Sequence, residues 1–173
     1  MKSTSVLVGF GRQQLSRILS LLLSLNVLAA CATGPQLVDH SFGFDVRLDT
    51  PPVTLLDYAY GDQYRMTRAE PHFVKEGRIE QQRGVDGAMP RGEFLYVKWR
   101  LKATGEVFED RVDLTKRLPP DIARHKIYFS IRERVLYVFL VSPNLRPKGS
   151  VEGPLRIYSH REVEQIYPGQ PKY

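Results

Sequence analysis

The sequence predicts a mainly β fold, an antiparallel β-sandwich of about seven strands with one or two short helices. Three observations carry that prediction. From His40 onward, apolar residues alternate with polar ones at period two, the pattern of half-buried strands. Two stretches, Glu93 to Leu114 and Lys126 to Ser142, read as hairpins whose facing residues match in character. Helical periodicity is scarce, and glycines and prolines punctuate the chain at short intervals.

Residues 1–30 stand apart from that domain. Lys2, Arg12 and Arg17 form a basic start, Ile18 to Leu28 an apolar core, and Ala29-Ala30 a small-residue pair before the lone cysteine, Cys31. Those are the three parts of an export signal. Ile18 to Ala30 reaches about 20 Å as a helix, short of the roughly 30 Å of hydrocarbon that a spanning helix must cross. Leu28-Ala29-Ala30-Cys31 resembles the lipobox of bacterial lipoproteins. The resemblance implies cleavage before Cys31, diacylglyceration of its sulfur and acylation of the new amine. More than one acyl chain gives stable anchoring. In enteric lipoproteins an Asp after the cysteine favours inner-membrane retention. Ala32 therefore implies an outer-membrane anchor facing the periplasm.

Three of the 25 Lys and Arg and none of the 19 Asp and Glu precede Cys31, so the mature charge is 22 − 19 = +3. A balance that mild gives no reason to expect nucleic acid as a partner. With Cys31 lipidated, no thiol remains for a disulfide or a metal site. A chain of about 140 residues is long enough to be held by one hydrophobic core. Residues 31–40 are expected to be the lipidated cysteine and a tether, because Gly34-Pro35 opposes regular structure. Residues 41–173 then form a single domain.

Within that domain, Phe42, Phe44, Val46 and Leu48 share one face of a first strand, which Thr50-Pro51-Pro52 ends. Val53 to Tyr60 is a second strand, closed by Gly61-Asp62. A turn at Thr104-Gly105 pairs Leu101 with Phe108, Val97 with Val112, Leu95 with Leu114 and Arg100 with Glu109. That register also sets Trp99 against Asp110 and Lys98 against Arg111, and Thr104 fits positive φ poorly, which favours a bulge at Gly105. The second hairpin, centred on Glu133-Arg134, pairs Ile131 with Leu136, Phe129 with Val138 and Ile127 with Leu140. Its second strand, Val135 to Val141, is apolar on both faces and should be covered on both. Leu155 to Ser159 is a last strand. Pro119 to His125 and Ser159 to Ile166 are the helical turns, with proline at the start of the first and Ser159 as cap of the second. Residues 64–92, polar and glycine-rich, read as one long loop.

No constellation for catalysis stands out. His40, His72, His125 and His160 lie too far apart for a local metal-ligand spacing, and no cofactor or metal is expected. Asp121 and His125, four apart, read as surface residues, and Asp110 as a carboxylate at a sheet edge or paired with Arg or the Trp99 indole. There is no Gly-x-Ser-x-Gly elbow, and in the exported part no phosphate-cradling glycine loop. Tyr96 and Trp99 point to opposite faces of their strand, so they form no base-stacking platform. The protein is not expected to be an enzyme.

Gly92-Glu93-Phe94-Leu95-Tyr96-Val97-Lys98-Trp99-Arg100, followed by Asp110-Arg111-Val112-Asp113-Leu114, resembles uncharacterised proteobacterial lipoproteins linked to type VI secretion. Some of that kind are immunity proteins, which sit in the periplasm and block an antibacterial toxin, often a phospholipase. The resemblance implies a lipoprotein that acts by binding another protein, either a toxin or, in a structural role, a component of an envelope or secretion assembly. Partner affinity concentrates in aromatic and Arg side chains. Tyr64, Arg65, Met66, Arg68, Phe73, Arg83, Met89 and Arg91 of the 64–92 segment are the expected contacts, their basic excess steering an acidic surface.

Replacing Cys31 with Ser should abolish the processed, membrane-bound form, as read by membrane fractionation. A processed Cys31→Ser protein that still sediments with membranes contradicts lipidation.

Overall fold

A computed structural model describes residues 35–150 and 153–173. The signal segment, Cys31 and the start of the tether lie outside the described residues. Eight strands run in chain order: β1 Leu37–Asp45, β2 Val53–Tyr60, β3 Gln82–Pro90, β4 Phe94–Leu101, β5 Val107–Asp113, β6 Lys126–Arg132, β7 Val135–Leu145 and β8 Arg161–Tyr167. A short helix, α1, spans Pro71–Glu76, and one-turn 3₁₀ helices span Val46–Leu48, Arg65–Thr67 and Arg156–Tyr158. The strands form two sheets, one of five in the order β3-β1-β6-β7-β8 and one of three in the order β2-β4-β5. This is a β-sandwich, mainly antiparallel as predicted. The β1–β6 pair is parallel, a departure from the expected all-antiparallel order. After the excursion through β2 to β5 the chain re-enters beside Ser41, whose N–H donates to His125 O at 2.9 Å.

The alternation on β1 sets the sandwich. Phe42 and Phe44 point inward and are almost wholly buried. Phe42 stacks on Tyr60 with centroids 5.0 Å apart and planes 7° apart, and Phe44 stacks on Phe129 at 4.7 Å. Tyr58 meets Phe44 edge-on at 4.7 Å. Aromatic pairs in such geometries add about 0.5–1.5 kcal/mol each beyond the area they bury. Leu95, Val97, Trp99 and Val112 from the smaller sheet meet Ile127, Ile131, Leu136 and Val138 from the larger one in the same core. Among the described residues this core draws only on positions within Gln36–Tyr173, a compact unit by itself.

The second hairpin has the expected register, Ile131 opposite Leu136 and Ile127 opposite Leu140. β7 is covered on both faces, as its sequence demands. Leu136, Val138 and Leu140 enter the main core, while Phe139 and Val141 join Tyr128 and Leu155 in a second cluster on the outer face. The first hairpin is displaced by two residues from expectation. Leu95 pairs Val112, Trp99 pairs Phe108 and Lys98 pairs Glu109. Leu101 N–H donates to Glu106 O and Gly105 N–H to Leu101 O, so the turn is longer than two residues and uses Gly105 at φ 76°. A two-residue slip keeps every side chain on its face. It also removes both expected mismatches: Trp99 now lies against Phe108, and Lys98 Nζ is 3.3 Å from Glu109.

Other expectations are corrected. Leu37 to His40 belong to β1 and not to the tether. Leu48 is 64% exposed, because the chain leaves the strand at Val46 and the alternation ends there. Leu155 to Ser159 is no strand; Ser159 to Ile166 is no helix but leads into β8, and Pro119 to His125 is irregular, with its polar groups met by local bonds such as Ala123 N–H to Asp121 Oδ1 at 2.8 Å. The segment 64–92 is not a loop: it holds a 3₁₀ turn, α1 and β3, which is antiparallel to β1 along its whole length. Its Gln81 covers the open edge of β2, accepting from Leu55 N–H at 2.7 Å and donating to Leu55 O at 3.1 Å.

Close packing gives a sharp test at two glycines. A Cβ on Gly92 would fall 2.5–2.8 Å from the Tyr60 ring, which is stacked on Phe42, whereas one on Gly84 meets nothing within 4 Å. Gly92→Ala should lower stability by about 1–3 kcal/mol. Gly84→Ala should stay within about 0.5 kcal/mol of wild type. Urea unfolding of the two variants checks the pair, and equal losses contradict this packing.

Candidate functional site

The outer face of the five-stranded sheet carries a cleft with a volume of about 590 Å³. Tyr128, Ser130 and Arg132 form its floor, the residues of β6 that alternate with core Ile127, Phe129 and Ile131. One wall is Asp45 to Thr50. There Asp45 caps the 3₁₀ turn, accepting Arg47 N–H at 3.2 Å and pairing with its guanidinium at 2.7 Å. The other wall is Pro154 to Ile157. Leu155 seats it by packing on Tyr128, Phe139 and Val141, and Arg132 Nη2 ties it down by donating to Pro154 O at 3.1 Å. Leu48, 64% exposed, and Ile157, 47% exposed, stand on the rim.

The charges in the cleft are of both signs. Asp49 Oδ2 accepts Ile131 N–H at 2.8 Å. Burial pushes its carboxyl up to about 6, against the opposing pull of that bond, Ser130 and Arg132. Arg132 lies over the Tyr137 ring at 5.0 Å, and Arg156 lines the opposite wall. Burial also raises the Tyr128 phenol well above its ordinary range. Among the described residues no group of three His, Cys, Asp or Glu side chains could hold a metal ion. The cleft thus combines apolar side chains at its rim with a half-buried carboxylate, Asp49, in its wall.

The expected contact residues are divided by the structure. Arg65, Met66 and Arg68 lie on or beside the exposed 3₁₀ turn, and Arg83 reaches them from β3, its Nη2 3.9 Å from Met66 Sδ. Arg65 bonds Glu70 at 2.7 Å and Arg83 bonds Glu80 at 2.9 Å, so much of the basic excess is met locally. Tyr64 is half-buried beside Gly61 and Phe94. Phe73 packs its ring partly against the core. Arg91 donates to Leu118 O at 2.8 Å and bridges two chain segments. Met89, 1% exposed on the inner face of β3, is a core residue, which corrects its expected place on a contact surface.

The other singled-out groups have structural roles. Asp110 accepts from the Tyr167 hydroxyl at 2.8 Å, and the Trp99 indole donates instead to Glu133 O at 3.3 Å. His125 Nδ1 bonds Ala123 O, not Asp121. His40 is buried as the neutral tautomer: Nδ1–H donates to Val38 O at 2.7 Å and Nε2 accepts the Tyr60 hydroxyl at 3.0 Å. Burial lowers its pKa. Leu48 and Ile157 read in the sequence as strand positions and Asp49 carries no binding signal there, so none of the three is marked as a site residue. Asp49-Thr50-Pro51-Pro52 announced a strand end, and nothing local announced that a segment a hundred residues on would close over it.

Comparison with protein families, with curated proteins and with solved structures finds no match.

The raised Asp49 carboxyl has a consequence for pH. A carboxyl with a higher pKa folded than unfolded binds more protons folded, so stability is greatest below about 4 and declines as pH rises toward 6. Asp49→Asn keeps an acceptor for Ile131 N–H and removes the charge. Its stability should gain on wild type by about 1–2 kcal/mol between pH 4 and 7. Denaturant melts across that range check the difference, and a constant offset contradicts it.

Proposed function

We propose that this protein is a lipid-anchored periplasmic binding protein that neutralises an antibacterial secreted toxin. Cys31 carries the anchor, and the cleft beneath Leu48 and Ile157 seats a segment of the toxin. The observation that carries a binding role is this cleft, a concavity with exposed apolar rims, a seated floor and a partly buried carboxylate. Its volume lies in the range of specific ligand sites. Leu48 and Ile157 are exposed large apolar side chains that line this one concavity, which makes them the anchors for a partner in this reading. The complementary segment has an apolar residue beside a lysine or arginine, the first between the rims and the second on Asp49.

The lipobox supports the anchor and the outer-membrane periplasmic location, where a toxin delivered from a neighbouring cell arrives. The resemblance of residues 92–100 and 110–114 to lipoproteins linked to type VI secretion supports the toxin as partner over an envelope component. In this reading the Arg65-Met66-Arg68 turn, with Arg83 beside it, is a secondary contact.

A competition assay tests the proposal. A strain lacking the gene should grow normally alone, and should fall at least about tenfold in numbers beside parental cells that deliver the toxin. Wild type should restore survival, and Leu48→Asp with Ile157→Asp should not, although both exposed substitutions leave the core intact. A deletion strain that survives equally beside its parent contradicts the immunity role, and one that loses secretion itself points to an assembly component.

A further inference from the structure

A second cleft, of about 380 Å³, opens at the end of the five-stranded sheet where the chain enters from Cys31. That end is fixed by register. β1 begins at Leu37, β3 finishes opposite it at Pro90, β6 begins at Lys126 beside Ser41, and β8 begins at Arg161 opposite Leu145. Arg124, Lys126, His160 and Arg161 line the cleft with the hydroxyls of Ser41, Ser142 and Tyr158, against a single carboxylate, Asp86. The cations are held apart from one another by different elements. Arg124 sits on a turn whose N–H donates to Asp39 O at 2.7 Å. Lys126 lies 5.8 Å over the Tyr158 ring and 3.9 Å from Asp86, which Ser41 Oγ also bonds. Arg161 is oriented by a bond from Nη1 to Pro143 O, with its remaining donors unconsumed by that contact.

Three cations and one shared carboxylate make a concave site of net positive charge lined with hydroxyl groups. Its complement is a compact oxyanion with several acceptor oxygens, and guanidinium groups match phosphate best. The position selects the source. About six residue steps separate Cys31 from Leu37, and an extended chain covers at most about 3.5 Å per step. On the reading that Cys31 is lipidated, the start of β1 lies within about 20 Å of the bilayer surface. Leu37, 58% exposed, and Leu145, 68% exposed, add apolar side chains at the same end.

We propose that the Arg124-Lys126-Arg161 cleft binds a phosphate group, that of an anionic lipid headgroup, and so holds this end of the sandwich against the membrane that carries the anchor. The toxin-binding cleft, lined by Asp45 and Arg132 at the opposite ends of β1 and β6, then faces away from the lipid.

The fragment Gln36–Tyr173, which carries the whole described core, tests this without any anchor. It is sedimented with phosphatidylcholine vesicles with and without phosphatidylglycerol, and its amide spectrum is titrated with inorganic phosphate. Binding should require phosphatidylglycerol. Arg124→Gln, Lys126→Gln and Arg161→Gln together should weaken it about tenfold or more. Arg65→Gln, Arg68→Gln and Arg78→Gln remove the same charge elsewhere and should leave it nearly unchanged. Equal loss in the two triple variants, or no vesicle binding, overturns the lipid assignment. Phosphate shifts at Arg124, Lys126 and Arg161 without vesicle binding transfer the site to a soluble phosphate compound. The fragment lacks Cys31, so failure here is separate from failure of lipidation, which the mass of the mature N-terminal peptide reads directly.

Discussion

The structure depends on the stacking of aromatic rings between two sheets of unequal size. Phe42 and Phe44 on β1 meet Tyr60 and Tyr58 on β2 and Phe129 on β6. Those strands come from both sheets, so the same contacts decide which faces are inside and how the sheets are held. β1 is the hinge of the arrangement. It lies between β3 and β6, and its neighbour β6 can be parallel only because the intervening chain builds the other sheet first. The tolerance for change at this layer is small. Tyr60 is stacked on Phe42, leaves no room for a Cβ at Gly92, and is bonded by His40 at its hydroxyl.

The smaller sheet covers only part of the larger one, and the chain uses the remaining surface twice. On the outer face, Leu155 and Tyr158 pack on Tyr128 and Phe139 and fasten the segment before β8 across the sheet. That strap leaves a concavity on either side. One has mixed charge and apolar rims, the other is basic, and they differ because β6 presents Ser130 and Arg132 to the first and Lys126 to the second. Packing thus comes before function here: the second aromatic cluster seats the wall that the two clefts share, Leu155 on one side and Tyr158 on the other.

Much of the sandwich was legible in the sequence, and the failures have physical causes. The Lys126–Ser142 hairpin was readable to the residue, because a one-residue slip would have put Phe129 and Ile131 outside. The first hairpin permitted a slip of two, which preserves the faces, and its true register was hidden in the mismatches of Trp99 with Asp110 and Lys98 with Arg111. β3 escaped because an edge strand needs few apolar residues. Only Val85 and Met89 mark its inner face, among glycines that read as loop. β8 reads as a helix in the sequence because Ser159 suits a helix cap, whereas the cap residue here only leads into the strand. Of the candidate sites, the Arg65-Met66-Arg68 turn was visible, since it is local. The two clefts were not, since each draws on residues more than a hundred positions apart.

The central claim is that the outer face of the five-stranded sheet is the working face. Thiol accessibility in intact envelopes measures this directly, since Cys31 is the one cysteine of the sequence and, on the proposal that it is lipidated, an introduced cysteine is the sole free thiol. Leu48→Cys and Ile157→Cys sample the cleft rim, and Val107→Cys, on an equally exposed strand of the other sheet, samples the opposite side. In cells that produce the toxin, the first two should be protected from a bulky maleimide while Val107→Cys reacts fully, and in cells without it all three should react alike. Protection at Val107→Cys with free reaction at the rim would place the working surface on the other sheet and contradict the account.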